Sequence, residues 1–162
     1  MKTVYVGLGS NLGDREANLR EAVRRLEADA IRVVRRSSLY ETEPRDIRDQ
    51  PWFLNAAVEA ETDLFPLQLL ARIQNIERAM GRRRITPKGP RNIDIDILFY
   101  GRSVIRTPEL ETPHPRIAER AFVLEPLVEI APEFRHPLSG KTATEMLAVL
   151  DPQGVRRLDV IL

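Results

Sequence analysis

The stretch GPRNIDIDILF, residues 89–99, reads as a strand, with isoleucine at every second position and an apolar end at Leu98 and Phe99. Side chains of a strand alternate between two faces, so Asn92, Asp94, Asp96 and Leu98 share one face, while Ile93, Ile95, Ile97 and Phe99 share the other. The second face belongs to a core; the first carries two carboxylates. At ~3.3 Å per residue they lie roughly 6.6 Å apart, and at an effective dielectric near 20 they repel by about 2–3 kcal/mol. An exposed face screened by water and arginine accounts for the pair. So does a pair of oxygen ligands for Mg²⁺, which favours carboxylates together with substrate phosphates. The preceding loop, RRRITPKGPR (82–91), gathers Arg82, Arg83, Arg84, Lys88 and Arg91 beside the acids. Metal, acid and arginine together suit a polyphosphate.

Outward from this strand the chain alternates strand and helix signals. Residues 2–8 are β-branched and aromatic, and the glycines 7, 9 and 13 with Ser10 and Asn11 then predict a break. GLGSNLGD lacks the ending of a P-loop and does not match G-x-G-x-x-G, so it reads as a tight strand-to-helix turn. A helix follows from Asp14 as N-cap, with Leu19, Ala22, Val23 and Leu26 on one side. Residues 31–40 and 52–62 read as strands separated by the charged loop YETEPRDIRDQP. A second helix starts near Pro66, carries Leu69, Ile73, Ile76 and Met80 on one face, and stops at Gly81. After strand 89–99 come a short strand at 103–106, the TPHP turn, a helical piece at 120–130 and a final helix with a Thr142/Glu145 capping box. The order βαββαβ predicts an α+β sandwich of ferredoxin-like type with additional C-terminal elements, in a single domain over residues 1–162.

Composition narrows the function. With 43% apolar residues, a chain of 162 has enough for a real core, and one compact domain is expected. Its 25 basic and 24 acidic residues give a net charge of +1, no broad attraction for nucleic acid or an anionic membrane. It has no cysteine, which removes disulfides, thiolate nucleophiles and Cys-based zinc sites. No run approaches the ~20 apolar residues of a membrane span, and the start resembles no signal peptide, so the expectation is a cytoplasmic protein.

Two further constellations carry chemistry. Phe53 and Asn55 share a strand face, where an aromatic ring beside an amide serves ordinary packing or the stacking and edge recognition of a flat heterocycle. Gln74 and Glu77, three apart on a helix, form a neighbouring pair, by default a solvated one. His114 sits between prolines that stiffen its backbone, and His136 lies in a loop; neither has partners for a triad or zinc site.

Taken together, GLGSNLGD, SSLYETEP, DQPWFLNAAVEAET, IERAMGR, GPRNIDIDILFYG and PHPRIAERAFVLEPLVEIAPE resemble, over nearly the whole chain, the 6-hydroxymethyl-7,8-dihydropterin pyrophosphokinases. The resemblance implies a ferredoxin-like fold, two Mg²⁺ ions, and transfer of the β,γ-diphosphate of ATP to the pterin hydroxymethyl group with release of AMP, in tetrahydrofolate biosynthesis. It implies that Asp94 and Asp96 hold the metals and that Arg82 and Arg91 act on the phosphates. Asn55 would read the pterin edge, Phe53 and Phe122 would stack on its faces, and Thr42 and Pro44 would line the pocket. Gln74, Glu77, Arg84, Arg91, His114 and Arg120 would contact ATP or arrange the lid loop. Asp96 beside a metal would have a lowered pKa and be a poor base for the pterin hydroxyl. The chain departs from the pattern at Lys88, where an aromatic is usual, and is unusually charged at Arg45 and Arg48 beside Ile47, with Arg116 after PHP. The expectations are a monomer with small-molecule partners and no fused pathway enzyme. The alternatives from other classes are a single-stranded RNA binder on an exposed sheet and a ligand-binding module whose carboxylates are structural.

Overall fold

In the computed structural model, residues 1–28, 30–44, 49–81 and 90–162 are described. The elements run β1 (Lys2–Ser10), α1 (Arg15–Leu26), β2 (Ile31–Arg36), β3 (Ser38–Thr42), β4 (Phe53–Thr62), α2 (Pro66–Ala79), β5 (Asp94–Tyr100), β6 (Ile105–Arg106), β7 (Glu111–Thr112), α3 (Ala121–Ile130), α4 (Ala143–Ala148) and β8 (Val155–Ile161), with a 3-10 turn at Ile117–Glu119. The main sheet is antiparallel in the order β5-β1-β4-β3-β8, with β2 also pairing β4. β2 and β3 form one interrupted strand. Between them the Ser37 Oγ accepts from the Ala57 N–H (2.9 Å) and the Ser37 N–H donates to the Ala57 carbonyl (2.9 Å), so both backbone groups of Ala57 stay paired at the break. Helices α1 and α2 each cross over a neighbouring strand, which is the expected ferredoxin-like arrangement.

The caps follow the sequence signals. Asp14 accepts from the Ala17 N–H, Pro66 opens α2, Gly81 sits at φ +76° past the end of α2, and Thr142 and Glu145 close a reciprocal capping box. The C-terminal elements do more than extend the sheet. Leu19, Val23, Ile73 and Ile76 of α1 and α2 pack with Val4, Val6, Leu8 and Ile93, Ile95 and Ile97 on one face. Leu124, Leu127 and Met146 of α3 and α4 pack with Tyr5, Ala57, Leu98 and Phe99 on the other. Strands β1, β4 and β5 are therefore buried on both sides, while β2 and β8 stay mostly exposed.

Three local expectations are corrected. β1 does not break at its glycines but runs to Ser10, because Gly7 and Gly9 pair on both sides, with Ala57 and Asp96 and with Asn55 and Asp94. Ladder bonds to two neighbours outweigh the ~0.5–1 kcal/mol disadvantage of glycine in a strand. Phe99 does not join the isoleucines. The register steps from Val6↔Ile97 to Tyr5↔Phe99, so Leu98 is an inserted bulge residue, and Phe99 turns to the α3 side. There its ring meets Tyr5 edge-on at 6.3 Å and Phe134 at 4.6 Å. Finally, β8 lies on β3 where sequence reading places no strand; its pattern is mixed and mostly exposed, without a clean alternation.

Candidate active site

The two strand glycines leave a floor without side chains at one end of the sheet, and a cavity of ≈ 420 Å³ opens above it. Gly7 and Gly9 lie under it; Thr42, Phe53 and Asn55 from β3 and β4 form one side, Arg91, Asp94 and Asp96 a second, and Arg120 and Phe122 at the start of α3 a third. Asn55 is buried (7% exposed), and its Nδ2 donates to the Thr42 Oγ1 at 2.6 Å. Its Oδ1 lies directly over Gly9: a Cβ at that position would sit 2.6 Å away. Glycine is required there by the close approach of the amide.

Asp94 and Asp96 share the cavity side of β5, as the alternation predicts. Asp94 is already neutralised: its Oδ2 accepts from the Arg91 Nε at 2.5 Å, with both side chains about four-fifths buried at 17% and 21% exposure. One such contact is worth about 4 kcal/mol of Coulomb energy at an effective dielectric of 20, more than the repulsion between the two aspartates. The offset expected from a metal is thus supplied in part by an arginine. The Arg91 guanidinium also lies 5.1 Å from the centre of the Phe53 ring, and Arg120 stands 5.5 Å from that of Phe122. Each aromatic of the cavity carries an arginine at cation–π distance.

Among the described residues no group of three or more Asp, Glu or His side chains converges as a metal cage. Two carboxylates alone fit a hard cation that keeps waters and substrate oxygens, which is the habit of Mg²⁺. A zinc site would require nitrogen or sulfur ligands that the pair does not offer.

Other expected residues fall around the cavity rather than in it. Glu77 accepts the Ile95 N–H on Oε2 (3.0 Å), satisfying an amide on the outer edge of β5, and Gln74 is exposed on α2. Pro44 is buried beside Thr42 without lining the cavity. His114 lies near Arg116 and Arg120 without lining the cavity. Burial, then repulsion from Arg120 and Arg116, push its pKa down to about 4 against a weak opposite pull from Glu111, and its Nδ1 faces the Arg116 N–H at 3.4 Å. It is neutral at pH 7. Arg45, Ile47, Arg48, Arg82, Arg83, Arg84 and Lys88 lie outside the described residues.

Sequence reading missed the residue that joins the parts. Asn11, 1% exposed, accepts the Arg91 N–H on Oδ1 (2.8 Å) and donates from Nδ2 to the Gln50 Oε1 (2.9 Å) and the Pro51 carbonyl (3.0 Å). Its N–H also donates to the Arg91 carbonyl at 2.9 Å. The loop before β4 and the loop before β5 are tied to one side chain. The available signal was a fully polar residue at the end of a central strand, where burial demands several partners.

Comparison with known proteins decides what this arrangement belongs to. Residues 5–132 match the model of the 7,8-dihydro-6-hydroxymethylpterin-pyrophosphokinase family. The chain belongs to this pyrophosphokinase family. It is 49% identical over 160 residues to the 2-amino-4-hydroxy-6-hydroxymethyldihydropteridine pyrophosphokinase of Methylorubrum extorquens, covering 98% of this chain and 100% of that one. The enzyme of the same name from Bacillus subtilis is 48% identical over 153 residues, 94% of this chain and 87% of that one. The folic acid synthesis protein fol1 of Pneumocystis carinii is 45% identical over 86% of this chain, which spans only 19% of that longer protein. The Plasmodium falciparum HPPK-DHPS crystallised with pteroate has the same fold, at a TM-score of 0.73 and 19% identity, over 91% of this chain and 42% of that one. Pyrophosphokinases of this family transfer a pyrophosphoryl group to hydroxymethyldihydropterin in folate synthesis. No helix among the described residues of this family member is long and apolar enough to cross a membrane.

Proposed function

We propose that this chain, acting as a cytoplasmic monomer, transfers the β,γ-diphosphate of ATP to 6-hydroxymethyl-7,8-dihydropterin in the cavity above Gly7 and Gly9. The observation that carries the reading is that one cavity holds an amide beside two aromatic rings at one part and two carboxylates with an arginine at another. The first suits a flat heterocycle and the second a polyphosphate.

In this reading the pterin lies between Phe53 and Phe122, and the Asn55 amide, fixed by Thr42, reads its edge. The pterin hydroxymethyl oxygen then points toward the Asp94/Asp96 end. It attacks the β-phosphorus of ATP; the bond from that phosphorus to the α,β-bridging oxygen breaks, AMP leaves, and the hydroxyl proton passes to solvent. Asp94 and Asp96 would hold two Mg²⁺ ions, which when bound neutralise phosphate oxygens and align the reacting groups. Arg91 and Arg120 stabilise charge on the phosphates, and Asn11 keeps the Arg91 backbone in register with Gln50. Arg82, Arg84, Gln74, Glu77 and His114 would contact ATP or arrange the loop before β5. Neutral His114 offers a hydrogen bond there without adding a charge.

AMP formation from ATP and the pterin, with and without Mg²⁺, tests this directly. AMP that requires both and falls by a factor of roughly 100 or more in Asp94→Ala and Asp96→Ala supports the assignment. ADP as product, or full activity in both variants, overturns it.

A further inference from the structure

The segment DPQG, residues 151–154, lies beyond residues 5–132 that match the family, yet it touches two sides of the cavity. On one side Gln153 accepts the Ala121 N–H on Oε1 (2.9 Å) and donates from Nε2 to the Glu119 carbonyl (3.0 Å). These bonds bracket Arg120 and take up an N–H of the first turn of α3, which has no side-chain cap of its own. Phe122 is the next residue along. On the other side the Gly154 carbonyl accepts the Glu43 N–H (3.2 Å), and Val155 pairs with Thr42. Gly154 has φ +67°, and a Cβ there would come within 2.8 Å of the Glu43 Oε2. Two consecutive residues therefore strap the end of the cavity that carries Arg120 and Phe122 to the end that carries Thr42 and Glu43.

We propose that Gln153 is a positioning residue that sets the gap between Phe122 and the Asn55–Thr42 side, and so sets the affinity for a flat heterocycle; this rests on reading the cavity as the pterin site. Stacking tolerates little change in ring separation, and Phe122 sits on the helical turn that Gln153 completes. Without the amide, the Ala121 N–H and Glu119 carbonyl return to water, and the turn is free to shift. Gln153 is half-buried and outside both apolar clusters, so its removal opens no hole in the core.

The test is steady-state kinetics of Gln153→Ala in the full chain with 6-hydroxymethyl-7,8-dihydropterin and MgATP. The expected result is a KM for the pterin raised roughly three- to tenfold, the equivalent of one or two net hydrogen bonds. Both kcat and the KM for ATP move by less than about twofold, because Arg120 can re-aim its long side chain. Gln153→Glu, which keeps the acceptor for the Ala121 N–H, restores most of the pterin KM. In a Phe122→Ala background, Gln153→Ala changes the pterin KM by less than about twofold, since its effect passes through that ring. An equal effect in both backgrounds, or a parallel loss in kcat and both KM values, overturns the proposal. A wild-type chain that forms no AMP overturns the reading of the cavity and the proposal with it. An active wild type with an unaltered Gln153→Ala overturns the proposal alone.

Discussion

Gly9 is the residue on which the cavity turns. A methyl group there meets the Asn55 Oδ1 at 2.6 Å, so the amide must swing away from Thr42 and lose a 2.6 Å hydrogen bond. Gly9→Ala is expected to cost about 1–3 kcal/mol in stability and to raise the pterin Kd by roughly tenfold or more, read by calorimetric titration and thermal melts. Asn11 makes a contrasting case. Asn11→Ala leaves the Arg91 N–H and the Pro51 carbonyl without their side-chain partner, which should lower unfolding stability by about 1–3 kcal/mol. Catalysis should fall as well, because Arg91 loses its register beside Asp94; an unchanged kcat in a destabilised protein would reduce Asn11 to a purely structural role. His114 sets a pH dependence. Its folded pKa of about 4 lies below the ordinary value of 6.5, so the unfolded chain binds the proton more tightly between those limits. The resulting stability is complete above pH 6.5 and declines as pH falls toward 4, by at most about 3 kcal/mol. Following the imidazole by NMR should give a midpoint near 4, and His114→Gln should flatten stability across that window.

At the scale of elements, β5 serves two masters. Its isoleucines belong to the α1/α2 core, its aspartates to the cavity, and the bulge at Leu98 lets Leu98 and Phe99 both serve the α3 layer. Had the alternation continued without the bulge, Phe99 would face α1 and α2 and leave Tyr5 and Phe134 without their shared partner. α3 presents the site from the opposite side, and its seat on the sheet depends on Leu124 and Leu127, both fully buried. Leu124→Ala is expected to destabilise by about 2–5 kcal/mol in urea unfolding. Because α3 carries Arg120 and Phe122, the same variant should weaken ligand binding out of proportion to any change at Asp94 or Asp96.

The whole molecule is a sheet whose strands β1, β4 and β5 are covered on both faces, with the cavity where the two layers leave one end of those strands bare. Ligand binding should therefore stabilise the entire fold. A non-hydrolysable ATP analogue with Mg²⁺ at one hundred times its Kd should add about 2.7 kcal/mol to unfolding. Asp94→Asn should remove most of that increment at the same concentration, measured by the shift of the melting midpoint. A stabilisation that persists in the variant would place the nucleotide away from the carboxylates.

The βαββαβ order up to β5, the caps at Asp14, Pro66, Gly81 and Thr142, and the alternation that sets Asp94 and Asp96 on one face follow from local chemistry, which is written in the chain residue by residue; the strand β8 does not, because its mostly exposed pattern has no clean alternation. The family is legible too, through motifs spread along the chain's length. Other features depend on what folding brings together. Gly7 and Gly9 become a floor only because two strands flank them; sequence alone reads such glycines as a break, since it does not count ladder bonds to distant partners. The Leu98 bulge depends on the register against β1, and a one-residue slip in register is invisible to periodicity within β5 itself. Asn11 and Gln153 act across separations of 80 and 32 residues in sequence. Polar latches of this kind leave no periodic trace, because their meaning lies in the buried groups they satisfy, and only the tertiary structure determines which groups are buried.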